Sequence, residues 1–431
     1  MKIGIIGSGE SGTGAALLAK QKNYEVFISE SGVIHERYKE IIRSNGIAYE
    51  EGGHSLDRLK ESDLVIKSPG VPDHSDVITQ LKSADKKIIS EIEFGFMHCT
   101  SKILAVTGSN GKTTTSGLFF HLMKTAGYDC AIGGNYGESF AGLMSHSNPE
   151  YIVLEVSSFQ LDGIVDFKPL VAILLNITPD HMDRYDYEIE KYAASKFRIT
   201  ENQTAEDLFI YNGDDEITKQ YIDSFPTHAG VNVIKSSMYE KGIASKDGTY
   251  FELSIKGRHN LFNAMCVVEA CRFLGLNEIQ IALGLKSFKN LPHRLETVGM
   301  INGVEFINDS KATNVDSVYY ALEAMTKPVI WVAGGTDKGN DYSPLFEQVS
   351  KKVKALICLG VDNSKLKTVF KEKIHIVKES TKVSSVVAMA MEIAESGDVV
   401  LLSPACASFD LFKNYVDRGD QFKKVVLDYQ R

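Results

Sequence analysis

No run of about eighteen apolar residues occurs in the 431-residue chain, so no membrane-crossing helix is predicted. The N-terminus, Met1-Lys-Ile-Gly-Ile-Ile-Gly7, runs straight into a strand-like stretch. It has neither the apolar core nor the cleavage site of a secretory leader. Cysteine is sparse: Cys99, Cys130, Cys266, Cys271, Cys358 and Cys406 form no C-x-x-C pair, and most sit among apolar neighbours. Reduced, buried thiols in a cytoplasmic protein are expected. Basic charge is also in deficit, 47 Lys and Arg against 56 Asp and Glu, a net charge of −9. That balance argues against general nucleic-acid or anionic-membrane binding, although a local phosphate site remains compatible with it. There is no low-complexity tract and no short-period repeat.

The chain does have ordinary globular material, 43% apolar and 24% charged, enough for two or three domains at this length. It is organised around Lys102-Ile-Leu-Ala-Val-Thr-Gly-Ser-Asn-Gly-Lys-Thr-Thr-Thr115. Ile103–Val106 has the character of a buried strand, and Thr107–Gly111 is small and glycine-rich. Lys112 then opens a helical pattern with Leu118, Phe119, Leu122 and Met123 on one side. Strand, glycine loop, Lys-Thr and helix is the layout of a nucleoside-triphosphate loop. N–H groups across Gly108, Ser109, Asn110, Gly111 and Thr114 would converge on an anion at a helix N-terminus. Lys112 would neutralise the outer phosphates, and the Thr113 hydroxyl would face magnesium. The strict G-x-x-x-x-G-K-[ST] spacing is not met: Val106 occupies the first glycine position and Gly108 comes two residues later. The loop is a shortened variant.

Before it, Lys2–Ile6, Gly7-Ser8-Gly9-Glu10-Ser11-Gly12 and a helix from Ala15 match G-x-G-x-x-G, and a second strand ends in Glu30. This is either a dinucleotide or diphosphate turn or a tight β–α turn without a ligand. Residues 1–92 read as a small doubly wound α/β unit. Beyond the phosphate loop, Asn135 follows a second glycine loop and either offers an amide to a ligand or tolerates a left-handed turn. Glu155 ends the apolar run Tyr151-Ile-Val-Leu; it either meets a cation or reaches solvent, since burying it unpaired is costly. Another strand leads to Asp180-His181-Met-Asp183-Arg184, where His181 is a metal ligand, an acid–base group or a hydrogen-bonded loop residue. Nothing local separates Lys196 from a surface lysine. Short strands, including Phe209–Asp214 and Thr249–Ile255, are expected between about 206 and 256. Asn260 and Asn263 share a face at a helix start and either read a base or cap the helix. From Val298, strands near 303–308, 329–333, 355–360 and 398–403 alternate with helices, predicting a third α/β unit.

The shortened loop, Leu154-Glu-Val-Ser-Ser-Phe-Gln-Leu161, Asp180-His-Met-Asp-Arg-Tyr185, the Asn260/Asn263 pair, Asn308-Asp-Ser-Lys-Ala-Thr313 and Ser403-Pro-Ala-Cys-Ala-Ser-Phe-Asp410 together resemble the Mur ligase family. The likeness covers almost the whole chain and is closest to the branch that adds D-glutamate. The resemblance implies three α/β domains: a Rossmann-like unit (1–92) for the UDP substrate, a central P-loop domain (93–297) for ATP, and a Rossmann-like C-terminal domain (298–431) for the amino acid. It implies ATP-dependent amide formation between UDP-N-acetylmuramoyl-L-alanine and D-glutamate in peptidoglycan precursor synthesis, by a cytoplasmic monomer. Two magnesium ions are implied, with Thr113 and Glu155 on one and His181 on the second. Lys196 matches a lysine that CO2 carbamylates into a metal-binding anion, which requires a neutral amine and hence a lowered pKa. Lys112, His181, Lys196 and Lys311 are thereby the catalytic candidates. Ser8, Gly9, Ser11 and Gly12 would serve the UDP moiety, and Asn135, Ser157 and Gln160 the muramoyl-alanine portion. Asn260, Asn263, Arg294 and Asp309 would meet the nucleotide. Thr313 and Lys338 would lie toward the reacting centre, and Ser408 and Tyr415 would hold D-glutamate. One departure is expected at the UDP end, where Glu30 and Ser31 stand where the family often has Thr-Arg.

Three other readings compete, the first being another member of the same superfamily that adds a different amino acid or works on folate. A nicotinamide-dependent oxidoreductase explains only Gly7 to Glu30 and leaves Lys112, Glu155 and His181 without a role. A nucleotide-binding regulator needs no second metal site and no reactive lysine.

Overall fold

The computed structural model describes residues 1–430 apart from Lys256. Three sheets account for the architecture. The first holds β1 (Lys2–Ile6), β2 (Glu25–Glu30), β3 (Ala48–Glu51), β4 (Leu64–Lys67) and β5 (Ile88–Ser90) in the order β3-β2-β1-β4-β5. The second holds β6 (Lys102–Thr107), β7 (Cys130–Gly134), β8 (Tyr151–Glu155), β9 (Val171–Leu174), β10 (Leu208–Asn212) and β11 (Gly230–Ile234) in the order β11-β10-β9-β6-β8-β7. The third holds β12 (Glu296–Ile301), β13 (Val304–Asn308), β14 (Val329–Ala333), β15 (Val353–Leu359), β16 (Ile376–Ser380) and β17 (Val399–Leu402) in the order β12-β13-β17-β14-β15-β16. Every pairing is parallel except β12 with β13. Sheets covered on both faces need continuous apolar strands, and β8, β9, β14 and β17 are buried along their whole length.

The chain forms two compact units: residues 1–252 with 261–288, and the residues from Lys289 onward with a short stretch around Asn260. The first two sheets share the first unit and one continuous core. Ile3, Ile5 and Ile28 of the first sheet join Ile103, Ile152 and Leu154 of the second through three helices. Those helices are Glu10–Gln21, Glu91–Phe96 and Phe140–Met144. Buried Glu93 fastens the joint: its carboxylate accepts the N–H groups of Val165 (2.8 Å), Asp166 (3.0 Å) and Phe167 (3.0 Å).

The strand expected over Thr249–Ile255 is not formed. Tyr250 makes one isolated bridge to Ala244 and is exposed, while Ile255 is buried without strand pairing.

Candidate functional site

The carboxyl ends of β8, β6 and β9 lie side by side, and in a parallel sheet that edge is where ligands bind. The loop after β6 is the glycine loop. Gly111 starts the helix Lys112–Thr125 in the left-handed region, φ 86°, where a side chain is strained. A Cβ there would also lie 2.9 Å from Asn263 Oδ1, which places Asn263 directly over the loop. The cradle is tied to the segment after β9. Ser109 N donates to Asn176 O (2.9 Å), Asn110 N to Asn176 Oδ1 (2.8 Å), and Asn176 Nδ2 to Asn110 O (3.0 Å). Ser109 Oγ donates to Thr178 O (2.9 Å). Lys112 Nζ lies along the same loop, donating to the carbonyls of Gly108 (2.8 Å) and Ser109 (2.9 Å). Thr113 and Thr114 are buried beside it.

Glu155 is opposite Val106 in the β6–β8 register and is 3% exposed, which removes the solvent-reaching alternative. Its Oε1 accepts from Asn135 Nδ2 (2.7 Å), while Oε2 is buried without a hydrogen-bond partner. A buried carboxylate oxygen with no donor is costly, and a hard cation satisfies it. Glu155 therefore fits as a ligand of magnesium. Among the described residues, no group of three or more His, Cys, Asp and Glu is placed to hold a metal.

Lys196 lies on the helix Ile189–Phe197 and is 1% exposed. Its Nζ sits 4.3 Å from the centroid of the Tyr192 ring. The Tyr192 hydroxyl is 3.1 Å from Ser109 Oγ, so one tyrosine links the lysine to the phosphate cradle. Burial, and then the charge of Lys112, hold Lys196 well below the usual lysine value, with Asp180 and Asp162 opposing. The amine is thus biased toward the neutral form. His181 stands in the left-handed region, as do Asp186 and Tyr187 (φ 54°, 54° and 61°). Non-glycine residues rarely hold that conformation without a constraint. One constraint is Arg184, whose Cζ lies 4.2 Å from the centroid of the Phe159 ring while Nη2 donates to Pro69 O (3.2 Å). The Phe159 ring meets His181 edge-on at 5.0 Å.

The other expected residues of this unit divide. Ser157 and Gln160 bond each other, Ser157 N to Gln160 Oε1 at 2.9 Å and Ser157 Oγ to the same oxygen at 3.1 Å. Ser8, Gly9 and Ser11 line a cavity of about 590 Å³ at the end of β1. Gly12 does not line it: a Cβ there would fall 1.9 Å from Gly7 O, so this glycine serves backbone packing. Glu30 occupies the loop itself. Its Oε2 accepts Ser8 N and Ser8 Oγ, both at 2.9 Å, and Oε1 accepts Gly32 N at 3.1 Å. Burial opposes its charge, but the bonds from Gly32 and Ser8 prevail and hold its pKa below the usual range. The Ser8 N–H is therefore already engaged by an anion of the chain itself.

In the second unit, Lys311 Nζ lies 4.0 Å from the centroid of the Tyr415 ring, so two of the expected residues meet. Asp309 is buried, accepting Leu295 N (3.2 Å) and Ser403 Oγ (2.9 Å). Burial pushes its pKa up to about 7 against those bonds and Arg294. Thr313 N donates to Lys311 O (2.9 Å). Lys338 is exposed after β14, Ser408 is buried after β17, and Asn260 is buried at the start of the helix Arg258–Phe273. Sequence reasoning missed Arg418, which is fully buried and donates to Ser310 Oγ (3.0 Å), Ser310 O (2.9 Å), Cys406 O (3.3 Å) and Gly334 O (3.4 Å). It ties the Asn308–Thr313 loop to the turns after β14 and β17. Its own stretch, Tyr415-Val-Asp-Arg-Gly-Asp420, reads as an ordinary polar helix start.

Comparison with known proteins places this geometry. Residues 2–77 match the MurD N-terminal domain, residues 106–271 the Mur ligase middle domain, and residues 293–406 the Mur ligase, glutamate ligase domain. The UDP-N-acetylmuramoylalanine–D-glutamate ligase of Christiangramia forsetii is 46% identical, with 99% of each chain covered. The ligase of the same name from Bacteroides fragilis is 42% identical, again over 99% of each chain. Among solved structures, the UDP-N-acetylmuramate-alanine ligase MurC of Thermotoga maritima superposes with a TM-score of 0.61 at 19% identity, covering 100% of this chain and 99% of its own. The MurF ligase of the same organism, in complex with ADP, gives 0.62 at 16%, covering 96% and 99%.

Proposed function

This chain belongs to the Mur ligase family, and from that premise we propose that it joins D-glutamate to UDP-N-acetylmuramoyl-L-alanine with conversion of ATP to ADP and phosphate. The observation that carries the reading is the cluster of Lys112, buried Glu155 and depressed Lys196 around one phosphate cradle, in a chain nearly half identical to ligases of that name. A carboxylate is a poor electrophile. The alanine carboxylate oxygen attacks the γ-phosphorus, the bond to the β-phosphate oxygen breaks, and ADP leaves. The D-glutamate amine then attacks the acyl carbon, and the tetrahedral intermediate expels phosphate as the nitrogen loses its proton. Both steps gather negative charge, so fixed cations and N–H donors are what lower the barriers.

In this reading Gly108 to Thr114 hold the phosphates and Lys112 neutralises charge moving onto them. Thr113 and Glu155 would hold one magnesium ion. His181 and a carbamate on Lys196 would hold a second. Bound magnesium supplies Lewis-acid stabilisation of the phosphoryl oxygens. Asn260, Asn263, Arg294 and Asp309 receive the nucleoside. Ser8, Gly9 and Ser11 line the UDP end, and Asn135, Ser157 and Gln160 the muramoyl-alanine part. Lys311, Thr313, Lys338, Ser408 and Tyr415 serve the amino acid. The division 1–92, 93–297 and 298–431 follows these roles, in a cytoplasmic monomer.

A different amino acid is the competing assignment, because the fold is common to family members with different substrates. Phosphate release from ATP, magnesium and UDP-N-acetylmuramoyl-L-alanine, measured across a panel of amino acids, distinguishes them. Release with D-glutamate is expected; release with L-lysine or diaminopimelate instead would sink the assignment.

A further inference from the structure

The cavity at the end of β1 is lined by Ser8, Glu30, His54, Ser68, Pro69 and Val71 among others. Glu30 cannot serve a ligand there freely, since Ser8, Gly32 and Ser31 already donate to both of its oxygens. His54 is held differently. Ser29 on β2 and Glu50 on β3 are a cross-strand pair, and Ser29 Oγ lies 2.5 Å from Glu50 Oε1 and 2.7 Å from His54 Nδ1. Glu50 also accepts Ser55 N (2.7 Å) and the Ser55 hydroxyl. Burial opposes the charge of Glu50, but these donors prevail and hold its pKa below the usual value, so the carboxylate is an acceptor only.

Ser29 has one hydroxyl proton, and the carboxylate takes it. The lone pairs of Ser29 then face the imidazole, which must bring its proton at Nδ1. A neutral ring protonated at Nδ1 is an acceptor at Nε2. Among the described residues none donates to His54 Nε2, and the ring lines the cavity. Ser29 is fully buried, so the chain Glu50–Ser29–His54 is fixed from inside the sheet.

We propose that His54 is a specificity-determining residue that accepts, at Nε2, a hydrogen bond donated by the nucleoside of the substrate. The inference rests on the reading above that a UDP-linked substrate enters this cavity. Two donors have the right chemistry, the imide N–H of uracil and a ribose hydroxyl. A site that offers a fixed acceptor rejects a ligand that also presents an acceptor there, because two lone pairs then face each other.

The test is calorimetric binding of UDP, CDP and 2′-deoxy-UDP to the full-length protein. CDP replaces the imide N–H by a ring acceptor, and deoxy-UDP removes one hydroxyl. Wild type is expected to prefer UDP by about tenfold or more over at least one of them. In His54→Ala that preference should collapse, with ADP affinity unchanged as a control for folding. In Ser29→Ala, where the ring is no longer bound to one tautomer, the preference should fall part of the way. Collapse of the CDP ratio assigns the uracil imide, and collapse of the deoxy ratio the ribose. An unchanged UDP preference in His54→Ala, over both competitors, overturns the proposal. A wild type that releases phosphate with UDP-N-acetylmuramoyl-L-alanine but shows no preference overturns it while leaving the ligase reading intact. Absence of any turnover or UDP binding overturns both.

Discussion

Lys196 shows how far a side chain's chemistry depends on what is folded around it. Its sequence context, Ala193-Ala-Ser-Lys-Phe-Arg198, does not mark it as special. Burial and the nearby Lys112 charge lower its pKa, and only a neutral amine reacts with CO2. Lys196→Ala is expected to lose roughly 100-fold or more in kcat, and added bicarbonate should not restore it, because no nitrogen remains to carry a carbamate. Full activity in that variant, measured by phosphate release, would remove the carbamate role. The phosphate loop was legible for the opposite reason: its residues are contiguous and each has a backbone purpose. Glu155 was half legible, since a lone acid in an apolar strand demands a partner but does not name one. Arg418 and His54 were not legible at all. Their partners are 108 and 25 positions away, and neither Arg nor His stands out among helix and loop residues.

At the scale of elements, the helix starts at the joint of the first two sheets hold an unusual acid. Glu91 begins the helix Glu91–Phe96 and is 1% exposed. Its Oε1 accepts Ala141 N (2.5 Å), at the start of the helix Phe140–Met144, while Oε2 is buried without a partner. Burial pushes its pKa up to about 7 from the ordinary 4.5. Below 4.5 the group is protonated in both folded and unfolded chains. Between 4.5 and about 7 the folded chain binds more protons than the unfolded one, so stability falls as pH rises. The gap from 4.5 to about 7 corresponds to on the order of 3 kcal/mol as an upper bound. Denaturant unfolding of wild type and Glu91→Gln at pH 5 and pH 8 should show the variant losing less stability across that interval. Equal slopes with pH would mean that Glu91 stays ionised in the fold. The positions of most strands could be read from their apolar runs, but this joint could not. Ala15, Ala16 and Ala19 look like helix filler until they are seen packed with Phe140 and Ala141.

For the molecule as a whole, a shared core makes the first two sheets one cooperative body. Ile3 and Ile28 belong to the same cluster as Ile152 and Ala172, although sequence motifs divide them between two domains. Amides in β1, β4, β6 and β8 are expected to exchange hydrogen with a common opening free energy in low denaturant. A first sheet that opens well below the second would show that the joint is weaker than its packing implies. The three-sheet layout was visible in advance as three alternations of strand and helix. The grouping of two sheets into one unit arises from long-range helix packing, which local patterns do not encode.

The phosphate loop is held from outside by Asn176 and Thr178 as well as by the bonds of Lys112 within it. Residues in the segment after β9 thus carry a constraint inherited from a ligand they need not touch. Asn176 offers one carbonyl and one amide to the two backbone groups of Asn110, a reciprocity that no smaller or singly functional side chain reproduces. Because the groups it meets are backbone, the demand falls on position 176 alone, and the shortened loop keeps its shape through its neighbour.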